Sequence, residues 1–247
     1  VAALLRLVSP HEASATGRIA PGTGIVIVRH GEAVANIENF VGGPQSCAGL
    51  TERGRAQVAA LSQRLAATGE LSAAVALYAS TLRRAVETAE ILAPALGGLE
   101  IEERAELCEQ HPGEADGMTW EAVERAFGRT LPGDRPGEPL APGGESWVSF
   151  GNRIERALTE IGLAHPGRLS VVAAHGGVVL TSLIRLLEIP GRSAPRRFFC
   201  ENASITEWRY GGQGWRLLRF NDIAHLDKAL RSPIPQWAEA GAEPERR

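Results

Sequence analysis

Lysine is almost absent from this chain: Lys228 is the only one among 26 basic residues, and the rest are arginine. Set against 29 acidic residues this leaves a formal charge of −3, so there is no basic excess of the kind that drives counterion release from DNA or RNA. Nucleic acid is therefore excluded as a partner class. Cysteine is sparse too. Cys47, Cys108 and Cys200 are odd in number, widely spaced and include no Cys-x-x-Cys pair, which argues against a disulfide framework or a cysteine zinc site and fits a reducing cytoplasm. No apolar run reaches the length of a membrane span, so no membrane partner is expected. Val1 to Val8 is apolar, but Arg6 interrupts it and no basic stretch precedes it. Residues 1–22 read as an N-terminal extension, with Ala13-Ser14-Ala15 the one feature that imitates an export cleavage site.

What remains is an ordinary globular composition, 44% hydrophobic and 22% charged over 247 residues, long enough to bury one large core. A single domain is expected over 23–232, followed by a disordered tail over 233–247. Gly24 to Val28 is a β-branched run suited to a central buried strand, and it stops directly at Arg29-His30. Thr51 caps a helix carrying Val58, Leu61 and Leu65 on one face; Ala74 to Tyr78 reads as a strand, Leu82 to Leu96 as a helix, and Ile101 as part of a third strand. Between 110 and 145 glycine and proline are too dense for any continuous element, so this is read as an irregular cap insertion. Ser146 opens an amphipathic helix bearing Trp147, Phe150, Ile154, Leu158 and Ile161. Leu169 to Ala174 is another buried strand, ending at His175-Gly176-Gly177, with a helix from Val178 to Leu187. Ser204 to Tyr210 and Trp215 to Phe220, around Gly211-Gly212-Gln213-Gly214, read as a hairpin at the sheet edge. Strands alternating with helices argue an α/β fold.

Two histidines, His30 and His175, thus stand just past the ends of buried strands, where open α/β sheets gather their ligands. Arg29 adjoins the first, and Arg84 begins a helix after another strand. Two arginines and two histidines converging on one point suit a phosphoryl group. Guanidinium forks hold its equatorial oxygens, a neutral imidazole can attack phosphorus, and a protonated one can stabilise the developing charge.

Arg29-His30-Gly31-Glu32, Asn36, Leu50-Thr51 with Gly54, Leu82 with Arg84-Ala85 and Thr88-Ala89, Gly144-Glu145-Ser146 and His175-Gly176-Gly177 follow one another in the order of the histidine phosphatase (phosphoglycerate mutase-like) superfamily. The resemblance extends from about Gly24 to Leu226 and takes in Asn202-Ala203-Ser204-Ile205-Thr206 and Asn221-Asp222. It implies a three-layer α/β/α sandwich around a mostly parallel mixed sheet with a small irregular cap. It also implies His30 as nucleophile, His175 as catalytic partner, Arg29 and Arg84 as phosphate ligands, and Asn36 as a further phosphate contact. Glu109, in Leu107-Cys108-Glu109-Gln110-His111, is similar to the family's proton donor, with Glu114 and Asp116 as rivals. No metal and no cofactor are implied.

The chain departs from the family pattern at Ala33, at Ala79 and Thr81 near Arg84, and over Asn39 to Gly49, which lacks the tryptophan-bearing loop of the mutases. The cap is short and holds no lysine, unlike the mutases. The expected activity is therefore a phosphatase acting on a small phosphorylated metabolite, with a phosphoglycerate mutase-like phosphotransferase and a noncatalytic phospholigand-binding module as alternatives. A homodimer is compatible with all three. Arg125, Arg129 and Arg135 in the cap are candidates for a second anionic group of the substrate, and Trp120 and Trp147 are read first as packing residues. His11, His111 and His225 are read as structural, and a zinc site of His30, His175, His111 and Glu109 is disfavoured by the two arginines beside it.

Overall fold

A computed structural model describes residues 18–128, 135–189 and 198–233; the expected extension up to residue 17 and the tail after residue 233 lie outside them. Six strands form one sheet: β1 (Gly24–Arg29), β2 (Ala74–Ser80), β3 (Ile101–Arg104), β4 (Leu169–Ala174), β5 (Ile205–Tyr210) and β6 (Trp215–Asp222), in the order β3-β2-β4-β1-β5-β6. The first four in that order run parallel, and β5 and β6 add an antiparallel hairpin with β6 at the edge. The expected mostly parallel mixed sheet is what forms.

Alternation along β1 explains why it is central. Val26 and Val28 point to one face, where they meet Val58, Leu61 and Leu65 of helix α2 (Glu52–Thr68) and Leu92 of α3 (Arg83–Leu92). Ile25 and Ile27 point to the other, against Phe150, Ile154 and Leu158 of α5 (Trp147–Ala164) and Val178 of α6 (Gly176–Leu186). All four are fully buried, each contributing about 1.5–3 kcal/mol by area. Helices on both faces close the layers. As expected, Thr51 caps α2 by accepting the Gly54 amide at 2.9 Å, and Ser146 caps α5 by accepting that of Ser149 at 3.1 Å.

Besides shifts of one or two residues at element ends, two features differ from the sequence reading. The helix expected through Leu96 is α-helical only to Leu92 and tightens into a 3-10 turn over Ala93–Leu96, because Pro94 supplies no amide proton. The cap, expected to be irregular, contains a two-turn helix, α4 (Trp120–Phe127), capped by Thr119 and ended by Gly128 in the left-handed region. Trp120, Val123 and Phe127 recur at helical spacing and pack with Val41, Ala115, Leu140 and Ala141 into a small core of the cap's own. A further short helix, α1 (Val34–Ile37), follows the first histidine.

Candidate active site

Register brings the chemistry together. β1 and β4 pair from Gly24 opposite Leu169 to Arg29 opposite Ala174, so the next residue on each strand is a histidine, His30 beside His175. Their rings meet edge to face with centroids 5.2 Å apart. β2, on the other side of β4, delivers Ser80 and then Arg84 in the first turn of α3, and β3 leads through a 3-10 turn (Ala105–Leu107) to Glu109. Four adjacent parallel strands thus each supply part of one site at their carboxyl ends.

His30 is buried, and its Nδ1 lies 2.7 Å from the Gly31 carbonyl. A carbonyl oxygen only accepts, so Nδ1 carries the proton and Nε2 holds the lone pair. That Nε2 accepts from Arg84 Nε at 3.1 Å. Burial, then Arg84 and Arg29, hold the imidazole well below its usual pKa, which favours its neutral form. His175 is fully buried, with Nε2 2.7 Å from Ser80 Oγ. Ser80 donates to Cys108 Sγ and accepts from the Leu82 amide, so His175 Nε2 is the donor in that contact. Its Nδ1 has no partner. Burial first, then Arg84, His30 and Arg29, push His175 toward the neutral form in the free chain, whereas the sequence reading has it protonated when charge develops on a bound phosphoryl group.

Arg84 is also buried, and Nη1 is tethered to the Gly42 carbonyl at 3.0 Å and to Cys47 Sγ at 3.3 Å. Arg29 Nη1 donates to the Cys200 carbonyl, while its buried Nε has no partner and faces Gly176. Glu109 rests on the start of α6, with Oε2 accepting the Gly177 amide at 2.8 Å and Oε1 that of Gln110 at 3.0 Å. Asn36 is more constrained than the sequence suggested. Its Oδ1 accepts from the Ala33 amide and from Asn202 Nδ2, and Asn202 also donates to the His30 carbonyl at 3.1 Å, so only the Asn36 amide group remains to meet an anion.

The rivals for Glu109 have other surroundings. Asp116 accepts from the Gly43 and Gln45 amides and from Ser46 Oγ, stapling that loop to the cap, and Glu114 is exposed. Glu32 is buried but pairs with Thr51 and Arg53, not with the pocket arginines. Among the described residues no three of His, Cys, Asp and Glu come together as a metal set.

A family model for the histidine phosphatase superfamily (branch 1) matches residues 25–223. The chain belongs to that superfamily. Curated relatives agree: it is 32% identical over 209 residues to phosphoglycerate mutase-like protein 4 of Arabidopsis thaliana, covering 83% of this chain and 87% of the relative. It is 32% identical over 212 residues to the metal-independent phosphoserine phosphatase of the same plant, covering 83% of each chain. Among solved structures, YhfR of Bacillus stearothermophilus superposes with a TM-score of 0.72 at 28% identity, over 82% of this chain and 98% of that one. A mycobacterial glucosyl-3-phosphoglycerate phosphatase complexed with VO3 gives 0.67 at 28%, over 81% of this chain and 99% of that one. The reading as a histidine phosphatase-type enzyme, a phosphoric monoester hydrolase, stands on this agreement.

Elsewhere in this histidine phosphatase, two of the three cap arginines are exposed and have acidic neighbours on their own segments. Arg125 is largely exposed and lies 4.0 Å from Glu121, Arg135 lies 3.6 Å from Glu138, and Arg129 is outside the described residues. Trp120 and Trp147 pack into the cap core and the sheet core, as read from sequence. Three participants escaped sequence reasoning. Ser80 is one serine at a strand end, a position with no pattern of its own. Asn202 lies within Asn202-Ala203-Ser204-Ile205-Thr206, where nothing local in the sequence ties it to the His30 carbonyl. Gly177 stood in the His-Gly-Gly motif, and the need for glycine appears only once Glu109 is seen against it: a Cβ there would lie 2.0 Å from Glu109 Oε1.

Proposed function

We propose that this chain hydrolyses a small phosphomonoester, a sugar, organic-acid or nucleotide phosphate, through a covalent phosphohistidine on His30, with Glu109 as general acid and then general base. The observation that carries the reading is the locked tautomer of His30: Nδ1–H is held by the Gly31 carbonyl, so the lone pair is on Nε2, where Arg84 Nε–H holds it until Arg84 turns to the phosphoryl oxygens and frees it for phosphorus. In the first step Nε2 forms a bond to phosphorus while the phosphorus–oxygen bond breaks, and Glu109 gives its proton to the leaving alkoxide. In the second, Glu109 takes a proton from water, the water oxygen bonds to phosphorus, and the phosphorus–nitrogen bond breaks to return neutral His30 and inorganic phosphate.

Arg29, Arg84 and the Asn36 amide group hold the phosphoryl oxygens. After burial, the cations Arg84 and Arg29 lower the His175 pKa, and a phosphoryl dianion bound between them would offset that part and favour a proton on the otherwise unpartnered Nδ1. Hydrolysis is favoured over mutase chemistry by the short cap without lysine and by the phosphatases named among its relatives and structural neighbours. The test is to quench turnover of radiolabelled p-nitrophenyl phosphate and look for an acid-labile phosphoenzyme. The wild type is expected to yield one and His30→Ala none, with turnover lost. Equal turnover by His30→Ala and parent would refute the covalent route, and loss of turnover in EDTA would favour a metal. A panel of phosphorylated metabolites then identifies the alcohol released.

A further inference from the structure

Glu109, unlike His30 and His175, does not directly follow a strand of the sheet. It follows a three-residue 3-10 turn and precedes the cap, where nothing in the backbone ladder fixes its position. Yet the segment around it is held from both sides by one ion pair. Arg153, in the second turn of α5, spends all five of its N–H groups there: Nε and Nη2 fork onto the two carboxylate oxygens of Glu145 at 3.0 and 2.6 Å, Nη1 donates to the carbonyls of Glu106 and Cys108 at 2.7 and 3.0 Å, and the second Nη2 proton reaches the Glu109 carbonyl at 3.3 Å. Glu145 completes the grip. Its carboxylate accepts the His111 amide, its amide donates to the His111 carbonyl at 2.8 Å, and its carbonyl accepts from Gln110 Nε2 at 2.7 Å. Residues 106, 108, 109, 110 and 111 are therefore tied to two residues, through the Arg153 side chain and through both the side chain and the backbone of Glu145.

Both partners are nearly buried, with side-chain exposures of 12% and 13%, so the pair is only weakly screened and neither charge can be removed without leaving the other desolvated. A charge so placed needs a purpose, and a bidentate arginine aimed at three consecutive-turn carbonyls fixes backbone direction better than an apolar contact would.

We propose that Arg153 and Glu145 are positioning residues for the proton donor: their clamp holds the backbone of Glu109 so that its carboxyl faces the leaving-group oxygen. This rests on the reading of Glu109 as the general acid. Misplacement of an acid is felt only by leaving groups that need a proton, which separates positioning from general damage.

The experiment compares kcat/KM for 2,4-dinitrophenyl phosphate, whose leaving group needs no proton, with that for phenyl phosphate, whose leaving group does. Arg153→Lys keeps the charge but not the fork, Glu145→Gln keeps the shape but not the charge, and Glu109→Gln sets the scale for complete loss of the acid. Arg153→Lys and Glu145→Gln are expected to raise the dinitrophenyl-to-phenyl ratio by about tenfold or more, toward the value for Glu109→Gln. A ratio equal to wild type in both, whether activity falls on both substrates alike or not at all, overturns the proposal. Failure of both variants to fold overturns it as well, by assigning the clamp to the scaffold. If Glu109→Gln itself leaves the ratio unchanged, it is the assignment of Glu109 that falls.

Discussion

Replacing Gly177 by alanine separates the fold from the chemistry. A Cβ at this position would sit 2.0 Å from Glu109 Oε1 and 2.8 Å from its carboxyl carbon, with no backbone atom among its nearest neighbours. Opening the first contact to the 3.4 Å of ordinary van der Waals approach means moving the carboxylate by about 1.4 Å, and a misplacement near 1 Å costs on the order of a hundredfold in rate. Stability should hardly change. Alanine in the first turn of α6 gains up to about 1 kcal/mol of helix propensity over glycine, which offsets the lost bond from the Gly177 amide to Glu109 of similar size. The expected outcome is therefore a melting temperature within a few degrees of wild type and a kcat/KM for phenyl phosphate about a hundredfold lower. Differential scanning calorimetry and steady-state kinetics measure the two. Unchanged kinetics at unchanged melting temperature would show that the carboxylate need not rest on Gly177, and a large drop in melting temperature would show that the glycine serves the fold.

Arg84→Met should lower kcat/KM by about a hundredfold or more, as the loss of a donor to the transition-state charge does. It should also raise the His30 pKa toward the ordinary histidine value, because Arg84 is the largest depressing influence after burial. NMR titration of the His30 ring reads the second effect, and a pKa that stays put or falls would contradict the assigned cause. Stability should decline on mild acidification. His30 and His175 both titrate below 6.5 in the folded chain, so between their folded values and 6.5 the unfolded chain binds protons that the folded one does not. Stability is then complete above about pH 6.5 and falls below it by up to about 1.4 kcal/mol per pH unit for each histidine. Urea unfolding at about pH 7.5 and about pH 5.5 tests the sign, and equal or greater stability at the lower pH would refute it.

The parts of the site legible in the sequence are those tied to regular structure. Runs such as Ile25 to Val28 and Val171 to Ala174 announce buried strands through their β-branched and small apolar residues, and the histidine after each is placed by the parallel register alone. Arg84 is legible because α3 begins at a fixed distance from β2. Other features were hidden for physical reasons. Helix α4 spans only eight residues, beside a stretch whose glycines and prolines dominate any window laid over it. The lowered pKa of His175 comes first from burial and then from Arg84, His30 and Arg29, residues distant in sequence. The service of Asp116 to the loop over Gly43–Ser46 bridges 70 or more positions, so no local pattern marks it as a staple rather than an acid.

These contrasts divide the site into halves that are held by different forces. The sheet-borne half is fixed by backbone against backbone: a Cβ on Gly54 would lie 2.0 Å from the Glu32 carbonyl oxygen, and one on Gly31 would lie 2.4 Å from that of Gly54. The start of α2 is thus pressed against the loop that carries His30, and Gln57 Oε1 fastens the same loop by accepting the Glu32 amide at 2.8 Å. Such a packing tolerates almost no substitution, which is why Arg29-His30-Gly31-Glu32 and Gly54 can be read as a motif. The cap-borne half is held by side chains: Arg153 with Glu145 grips the acid segment, and Asp116 the facing loop. Glu145 stands in the Gly144-Glu145-Ser146 motif, so the clamp on the segment of Glu109 belongs with the residues that identify the reaction, while the cap side chains between His111 and Gly144 lie outside those motifs. The residues that identify the reaction are consequently not the ones that identify the alcohol. For this chain the alcohol must be sought among the side chains that line the way past Glu109, and a comparison of substrates that share the phosphoryl group but differ in the alcohol is the measurement that reports on them.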